Sequence, residues 1–257
     1  LGNLFYDRKR YAEAGALWQQ AAVLLPTFAT VRRNLALYYY NKTKEPEKAL
    51  AALSEAYALN PDDARVLLEP DQLHRKMGWT PLERIQLLQA HPDTVSKRDD
   101  VTTEYITLLN LLGRYEEART MTMNRRFHPW EGGEGKITAQ YALTLKQLAR
   151  RALAAGNPAE AETLLTQALS FPHNLGEGKL EGAKDNDIYY LLGLAANERG
   201  DHARAAAYFE TASVGTEDPA GMMFYNDQPA DMILYQGLAH RELGREEQAR
   251  TRFHKLV

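Results

Sequence analysis

The sequence predicts an all-α fold: a solenoid of about seven antiparallel helix pairs, interrupted by three long loops between pairs. Three observations predict it. One ordered signature recurs, a Gly that ends a helix, a short polar turn and then an Ala-rich helix, as "LLGRYEEAR" (111–119), "AAGNPAEAE" (154–162), "ERGDHARAA" (198–206) and "ELGREEQAR" (242–250). Two prolines, Pro26 and Pro61, close successive repeats 35 residues apart. Small and large apolar residues alternate in a fixed order across each unit, which is the mark of stacked supersecondary units. Gly tolerates the left-handed conformation that terminates a helix. Asn157–Pro158 and Asp201 are suited to starting the next one.

Each pair follows from that signature. Pair 1–26 runs through Gly2, Phe5, Tyr11, Ala14, Trp18, Ala21 and Pro26. Pair 30–61 repeats the order as Ala36, Tyr39, Ala49, Leu53, Ala56 and Pro61, with one extra residue placed in the turn "NKTKEPEKA", where Lys44 to Pro46 join the helices. Pair 64–91 is the weakest, because Pro70 lies inside its first helix and Glu83 stands where the central Ala belongs. Pairs 99–126, 137–171, 187–213 and 230–257 carry Ala118, Ala161, Ala205 and Ala249, which let two helices approach closely. Leu165, Phe209 and Phe253 fill the groove beside the next pair.

Bulk properties narrow the function. Of 257 residues, 31 are basic and 34 acidic, a net charge of −3, which supplies no basic field for nucleic acid. No apolar run approaches the ~20 residues of a membrane span. There is no cysteine, which excludes disulfides and thiolate metal sites. The chain opens at Leu1 without Met, and its first pair starts about two turns late, so further sequence upstream is expected.

The order Gly, Tyr, Ala, Phe, Ala, Pro at these offsets resembles the tetratricopeptide repeat (TPR), across nearly the whole chain. That resemblance implies a right-handed superhelix, here divided as repeats 1–4 over 1–126 and repeats 5–7 over 127–257 of one continuous solenoid. TPR arrays have short links, yet three links here are long: 127–136, 171–186 and 215–231. All follow a second helix, so they should emerge side by side. Within them, "RRFHPWEGGEGK" and "SFPHNLGEGK" echo one another. The candidate ligand residues are His128, Trp130, Glu131, Glu134 and Lys136, then His173, Asn174, Glu177 and Lys179, then Tyr225, Asn226 and Asp227. Aromatic faces beside carboxylates, amides and Lys suit a sugar, and Glu134 could face Glu177. Equally, the loops could only pack on one another, with Phe127 and Trp130 filling the gap, or the lysines could simply sit at the mouths of the following helices.

Other chemistry finds little support. Gly-Glu-Gly-Lys is followed by Ile137 or Leu180 rather than Ser or Thr and follows no strand, so it is no phosphate loop. No His-x-x-x-His pair, Gly-x-Ser-x-Gly elbow or cysteine nucleophile occurs, and no cofactor, metal site or catalytic residue is assigned. The TPR resemblance also implies a groove lined by first helices. Its candidates are Arg33, Tyr40, Asn110, Lys146, Arg150, Tyr190, Asn197 and Arg241. The carboxylate clamp of some TPR proteins is matched by Asn3, Asn34 and Arg65, but Glu69 replaces a needed cation. Together with "NLGEGKLEGAKDNDIYYLLG" and "YNDQPADMILYQGLA", the first insert resembles bacterial TPR proteins whose helices follow a galactose-mutarotase-like β-sandwich domain. That implies a cytoplasmic setting in sugar metabolism. Two functions stand: a scaffold for a partner protein or an upstream domain of the same chain, or a carbohydrate site in the loops.

Overall fold

A computed structural model describes residues 1–221 and 227–256, and every regular element among them is helical. The chain divides into two compact units, Leu1–Gly113 and Arg114–Val257. The first holds α1 (Gly2–Asp7), α2 (Tyr11–Leu24), α3 (Ala29–Tyr38), α4 (Pro46–Leu59), α5 (Ala64–Lys76), α6 (Pro81–Gln89), α7 (Pro92–Ser96) and α8 (Asp99–Leu111). The second holds α9 (Tyr115–Met123), α10 (Lys136–Ala154), α11 (Pro158–Ala168), α12 (Asn186–Glu198), α13 (His202–Ser213), α14 (Ala230–Glu242) and α15 (Glu246–His254). Hairpins α1/α2, α3/α4 and α5/α6 stack in the first unit, and α10/α11, α12/α13 and α14/α15 in the second. Each second helix also packs on the next first helix, as α2 does on α3 and α11 on α12. No helix among the described residues is long and apolar enough to cross a membrane.

The turns within hairpins share one device. Gly156 (φ 74°) and Gly200 (φ 78°) take the left-handed conformation just past a first helix. The next amide then folds back: Asn157 donates to the Ala152 carbonyl at 2.8 Å, and Asp201 to that of Ala196 at 3.0 Å. Carbonyls at the helix end are thereby satisfied. In the first hairpin Lys9 holds the same place at φ 62°, and Arg10 donates to Phe5 at 2.9 Å.

The extra residue of the second pair lies elsewhere than the turn. The first helix ends in a π-helical turn, Tyr39–Thr43, before left-handed Lys44 and the N-terminal Glu45–Pro46 of α4. A π turn accommodates one added residue inside a helix. The joint between helices therefore keeps its usual length.

Close approach depends on small residues opposite large ones. Ala14, Ala49, Ala118, Ala161, Ala205 and Ala249 are all within 1% of complete burial. A second set is more specific. A Cβ added to Gly2, Gly193 or Gly237 would lie 2.4, 2.3 or 2.4 Å from the ring of Trp18, Phe209 or Phe253. In each case the ring is sixteen residues further along the chain. At the same spacing Ala149 stands before Leu165, and Ala36 precedes Leu53 by seventeen because of the π turn. A ring requires Gly; a Leu admits Ala.

The third hairpin departs from this arrangement, but not where the sequence placed the departure. Glu83 is exposed and forms a capping box with Thr80, whose Oγ1 accepts from the Glu83 amide while Glu83 accepts from the Thr80 amide at 2.8 Å. The helix starts one residue later than in its siblings, so the central position falls to Arg84. That guanidinium is buried and donates to both oxygens of fully buried Asp71, at 3.0 and 2.8 Å, and to Glu104 of α8. Polar bonding from α6 to two other helices, α5 and α8, replaces tight small-residue packing. Pro70 is accommodated within α5, which continues to Lys76.

Two outcomes follow for stability, both read by chemical and thermal unfolding. Gly193→Ala should lose about 1 kcal/mol or more, overpacking outweighing the gain in helix propensity, and Phe209→Leu in the same chain should recover most of it. Arg84→Ala should destabilise by about 3–5 kcal/mol, because Asp71 is left charged and unpaired in the interior; Arg84→Ala with Asp71→Leu should be milder.

Candidate functional site

The inserts at 127–136 and 171–186 are joined to each other by several bonds. The Phe127 amide donates to the Asn174 carbonyl at 2.7 Å, and the Phe127 ring is a buried plug. The Asn174 side-chain amide donates to the carbonyls of Thr122 and Arg125, both at 2.9 Å, closing the end of α9. Further along, the Gly135 amide donates to Glu177 Oε2 at 2.7 Å. Between these ties Gly176 turns at φ 75°, where a Cβ would stand 2.5 Å from the Phe127 carbonyl oxygen. The two chains are too close there for any side chain.

The third insert is anchored through glutamines. Buried Gln228 accepts from the Thr216 amide (3.1 Å) and from Gln236 of α14 (3.0 Å), and donates to the Thr216 carbonyl (2.6 Å). Gln236 in turn accepts from Arg252 of α15 at 2.9 Å. Gln236 carries no signal in the sequence, since a lone Gln forms no motif.

Together the three inserts and the first helices of the second unit enclose a cleft of about 570 Å³. Glu134, Glu177 and Asp227, one from each insert, line it. Its apolar lining comes from Ala139 and Ala142 of α10, Ile188 of α12, Met232 of α14, and Phe171 and Leu180. Lys146 of α10 is paired with Asp187, and Lys179 donates to Asp185 at 2.7 Å and to the Leu169 carbonyl at 3.2 Å. Burial pushes the Asp185 carboxyl above its ordinary range, against the pull of the Lys179 bond. Glu177 Oε1 is buried and meets no protein donor.

Other candidates lie outside the cleft. The Trp130 ring covers Gly133 of its own loop, where a Cβ would sit 1.9 Å from it. His128, Glu131, Lys136 and His173 are exposed and do not line it, and Asn174 is committed to the carbonyls of the preceding helix. Tyr225 and Asn226 fall outside the described residues. The echo between the inserts ends at the lysines: Lys136 opens α10, whereas Lys179 precedes α12 by seven residues and turns back to Asp185. No group of three His, Cys, Asp or Glu placed to hold a metal ion occurs among the described residues.

Groove candidates divide between the units. In the first unit, Arg33, Tyr40, Glu69 and Lys76 line a smaller cleft of about 290 Å³ on α3 and α5. Arg33 donates to Glu69 at 2.8 Å, and the Lys76 ammonium stands 5.1 Å from the Tyr40 ring centre. Asn34 and Trp18 both donate to Asn3 at 3.0 Å, so these asparagines serve helix packing and no clamp is assembled. In the second unit, Arg150 donates to the Tyr235 hydroxyl, and Tyr190 lies between the rings of Phe209 and Tyr235, each 5.8 Å away. Burial raises the Tyr190 phenol above its usual pKa. Arg241 is exposed, Asn197 pairs with His202 at the hairpin turn (3.1 Å), and Asn110 is buried and lines neither cleft.

Comparison with known proteins agrees with this architecture. A tetratricopeptide repeat family model matches residues 1–64 and 146–220, and a second tetratricopeptide repeat model matches 231–257. Among solved structures, the chain is similar to one in the complex of Naa15/Naa10 bound to HypK-THB, at 16% identity and a TM-score of 0.51, over 99% of this chain and 35% of that one. It thus spans about a third of that larger chain. A tetratricopeptide repeat protein from Parabacteroides merdae is 16% identical over 99% of this chain and 88% of its own, with a TM-score of 0.49. YrrB, a TPR protein with an unusual peptide-binding site, is 15% identical over 76% and 90%, also at 0.49. At 16% identity, the likeness to the chain in the Naa15/Naa10 complex is one of fold alone.

Gly176→Ala should separate the first two inserts, because the left-handed turn and the contact with Phe127 both reject a Cβ. Limited proteolysis within 127–136 and 171–186 should accelerate severalfold while far-ultraviolet dichroism stays unchanged.

Proposed function

The chain belongs to the tetratricopeptide repeat family, and from that premise we propose that it is a binding scaffold holding an extended segment of a partner protein or of an upstream domain of the same chain. One observation carries this reading. In each unit an accessible cleft is lined by the first helices of successive hairpins, α3 and α5 in one and α10, α12 and α14 in the other. First helices repeated at a regular interval present side chains at a regular interval, which suits the repeating backbone of an extended peptide. The mixed lining of the first-unit cleft supports it too: Tyr40 supplies area at low entropic cost, while Arg33 and Lys76 supply direction.

A carbohydrate ligand in the three-insert cleft is the second reading, favoured by the meeting of the loops. Phe171 is its single ring among the described lining residues, and Trp130 is engaged elsewhere. A sugar there would rest on hydroxyl contacts with Glu134 and Asp227.

Selection from a displayed library of random linear peptides against the full chain tests the scaffold. Enriched peptides should bind about tenfold more weakly to Tyr40→Ala or Lys76→Ala, the loss typical of a contact residue, while His128→Ala binds normally. No enrichment, or binding indifferent to every groove variant, would refute the reading. Heat evolved on titrating a monosaccharide panel, and lost in Glu134→Gln, would instead support the sugar.

A further inference from the structure

We propose that His74 and His240, one in each unit, are acid-sensitive latches: uptake of a proton by either ring loosens its hairpin, α5/α6 or α14/α15, and with it a helix that walls a cleft. Place in the repeat is the first reason. His74 stands four residues before Gly78 and His240 four before Gly244, and both glycines take the left-handed turn. Each His carbonyl accepts the amide that folds back across that turn, from Trp79 at 3.0 Å and from Arg245 at 2.9 Å. Sibling hairpins carry buried Ala152 and Ala196 at the same place, before Gly156 and Gly200. A titratable ring thus occupies a joint that elsewhere needs only a methyl group. Of the two helices concerned, α5 lines the first-unit cleft and α14 the second.

The second reason is what surrounds the rings. His74 is 5% exposed and His240 7%, and Nδ1 of each is buried without a hydrogen-bond partner. A neutral imidazole can leave one nitrogen as a bare acceptor, but an imidazolium carries an N–H on both. The charged form would therefore bury a donor with nothing to receive it, and that donor would belong to a cation. A position near a helix C-terminus ordinarily favours the cation. That weak attraction does not offset a buried, unpaired and charged N–H.

Charged neighbours do not reverse this. Burial pushes the His74 ring below the ordinary imidazole range. Asp71 of α5 pulls the other way, but it is bonded to Arg84 of α6, whose guanidinium opposes a second cation and also holds Glu104 of α8. The Trp79 ring, stacked on His74 with centroids 3.6 Å apart, would attract a cation on its exposed side more than on its buried one. Around His240, burial acts first, and Arg252 of α15 and Arg245 of the turn act with it. Glu210 of α13 opposes them, and it is paired with Arg245. Among the described residues, α4 and α7 beside His74 and α12 beside His240 bring no charge that acts on either ring.

The test follows the imidazole Cε1–H signals of the full chain by NMR, with His74→Gln and His240→Gln assigning the two rings. Each should titrate below the ordinary imidazole midpoint of about 6.5. On acidification the unfolded chain then takes up these protons before the folded one, so stability is intact above that midpoint and falls as the pH drops through it. The urea midpoint should be lower at pH 5.5 than at pH 7.5, and hydrogen exchange in α5 and α14 should accelerate more than in α10, which carries no histidine. His74→Ala and His240→Ala install the residue of a sibling hairpin, so each should fold and remove part of the acid loss, and the two together most of it. The Gln variants, also uncharged, give the same comparison should either Ala variant unfold. Either signal titrating at or above the ordinary midpoint, or an acid loss undiminished in the double variant, overturns the latches. Neither outcome depends on a bound segment, so the scaffold reading stands or falls separately.

Discussion

How closely two antiparallel helices approach is set by the side chains that meet midway along them, and that separation determines everything stacked on either side. Here the meeting point is an alanine in hairpin after hairpin, with a glycine beneath each large ring. Because the hairpins share one spacing, each offers its neighbour a similar apolar surface, and successive first helices lie along one face of each unit. Left-handed turns of fixed length keep the register. Even the added residue at Tyr39–Thr43 is absorbed within a helix rather than allowed to lengthen a turn.

That regularity gives the long inserts their common location. A chain leaving one second helix and one leaving the next are brought to the same end of the stack, and the inserts of the second unit are bonded rather than loose: amide to carbonyl at Phe127–Asn174, amide to carboxylate at Gly135–Glu177, and a glutamine relay at Gln228–Gln236–Arg252. Their polar groups are consumed largely in holding one another. What they leave facing inward is a short set of carboxylates above an apolar lining, a much narrower chemistry than their composition suggested.

The helix pairs were legible because glycine turns and buried alanines are rigid requirements that recur at a fixed interval. Details governed by one residue were harder to read. The third hairpin shows why: Thr80-x-x-Glu83 is a capping box, and once it is recognised the helix start moves by one and Arg84, not Glu83, becomes the interior residue. Counting from Gly78 alone misses that shift. The meeting of the inserts could be foreseen from their equivalent positions in the repeat, but not the aim of each side chain. Trp130 turned onto its own loop, where Gly133 offers its ring a bare face, while Gln228 and Gln236 became central through contacts that no local pattern encodes.

The pairing of glycine with a ring sixteen residues later restricts how such a chain can drift. Starting from Gly193 and Phe209, the Ala–Leu combination seen at 149 and 165 is only two changes away. Either first step is penalised, one by collision and the other by a void. Two good solutions are thus separated by poor intermediates, and each hairpin tends to retain whichever it inherited while its outer faces diversify freely.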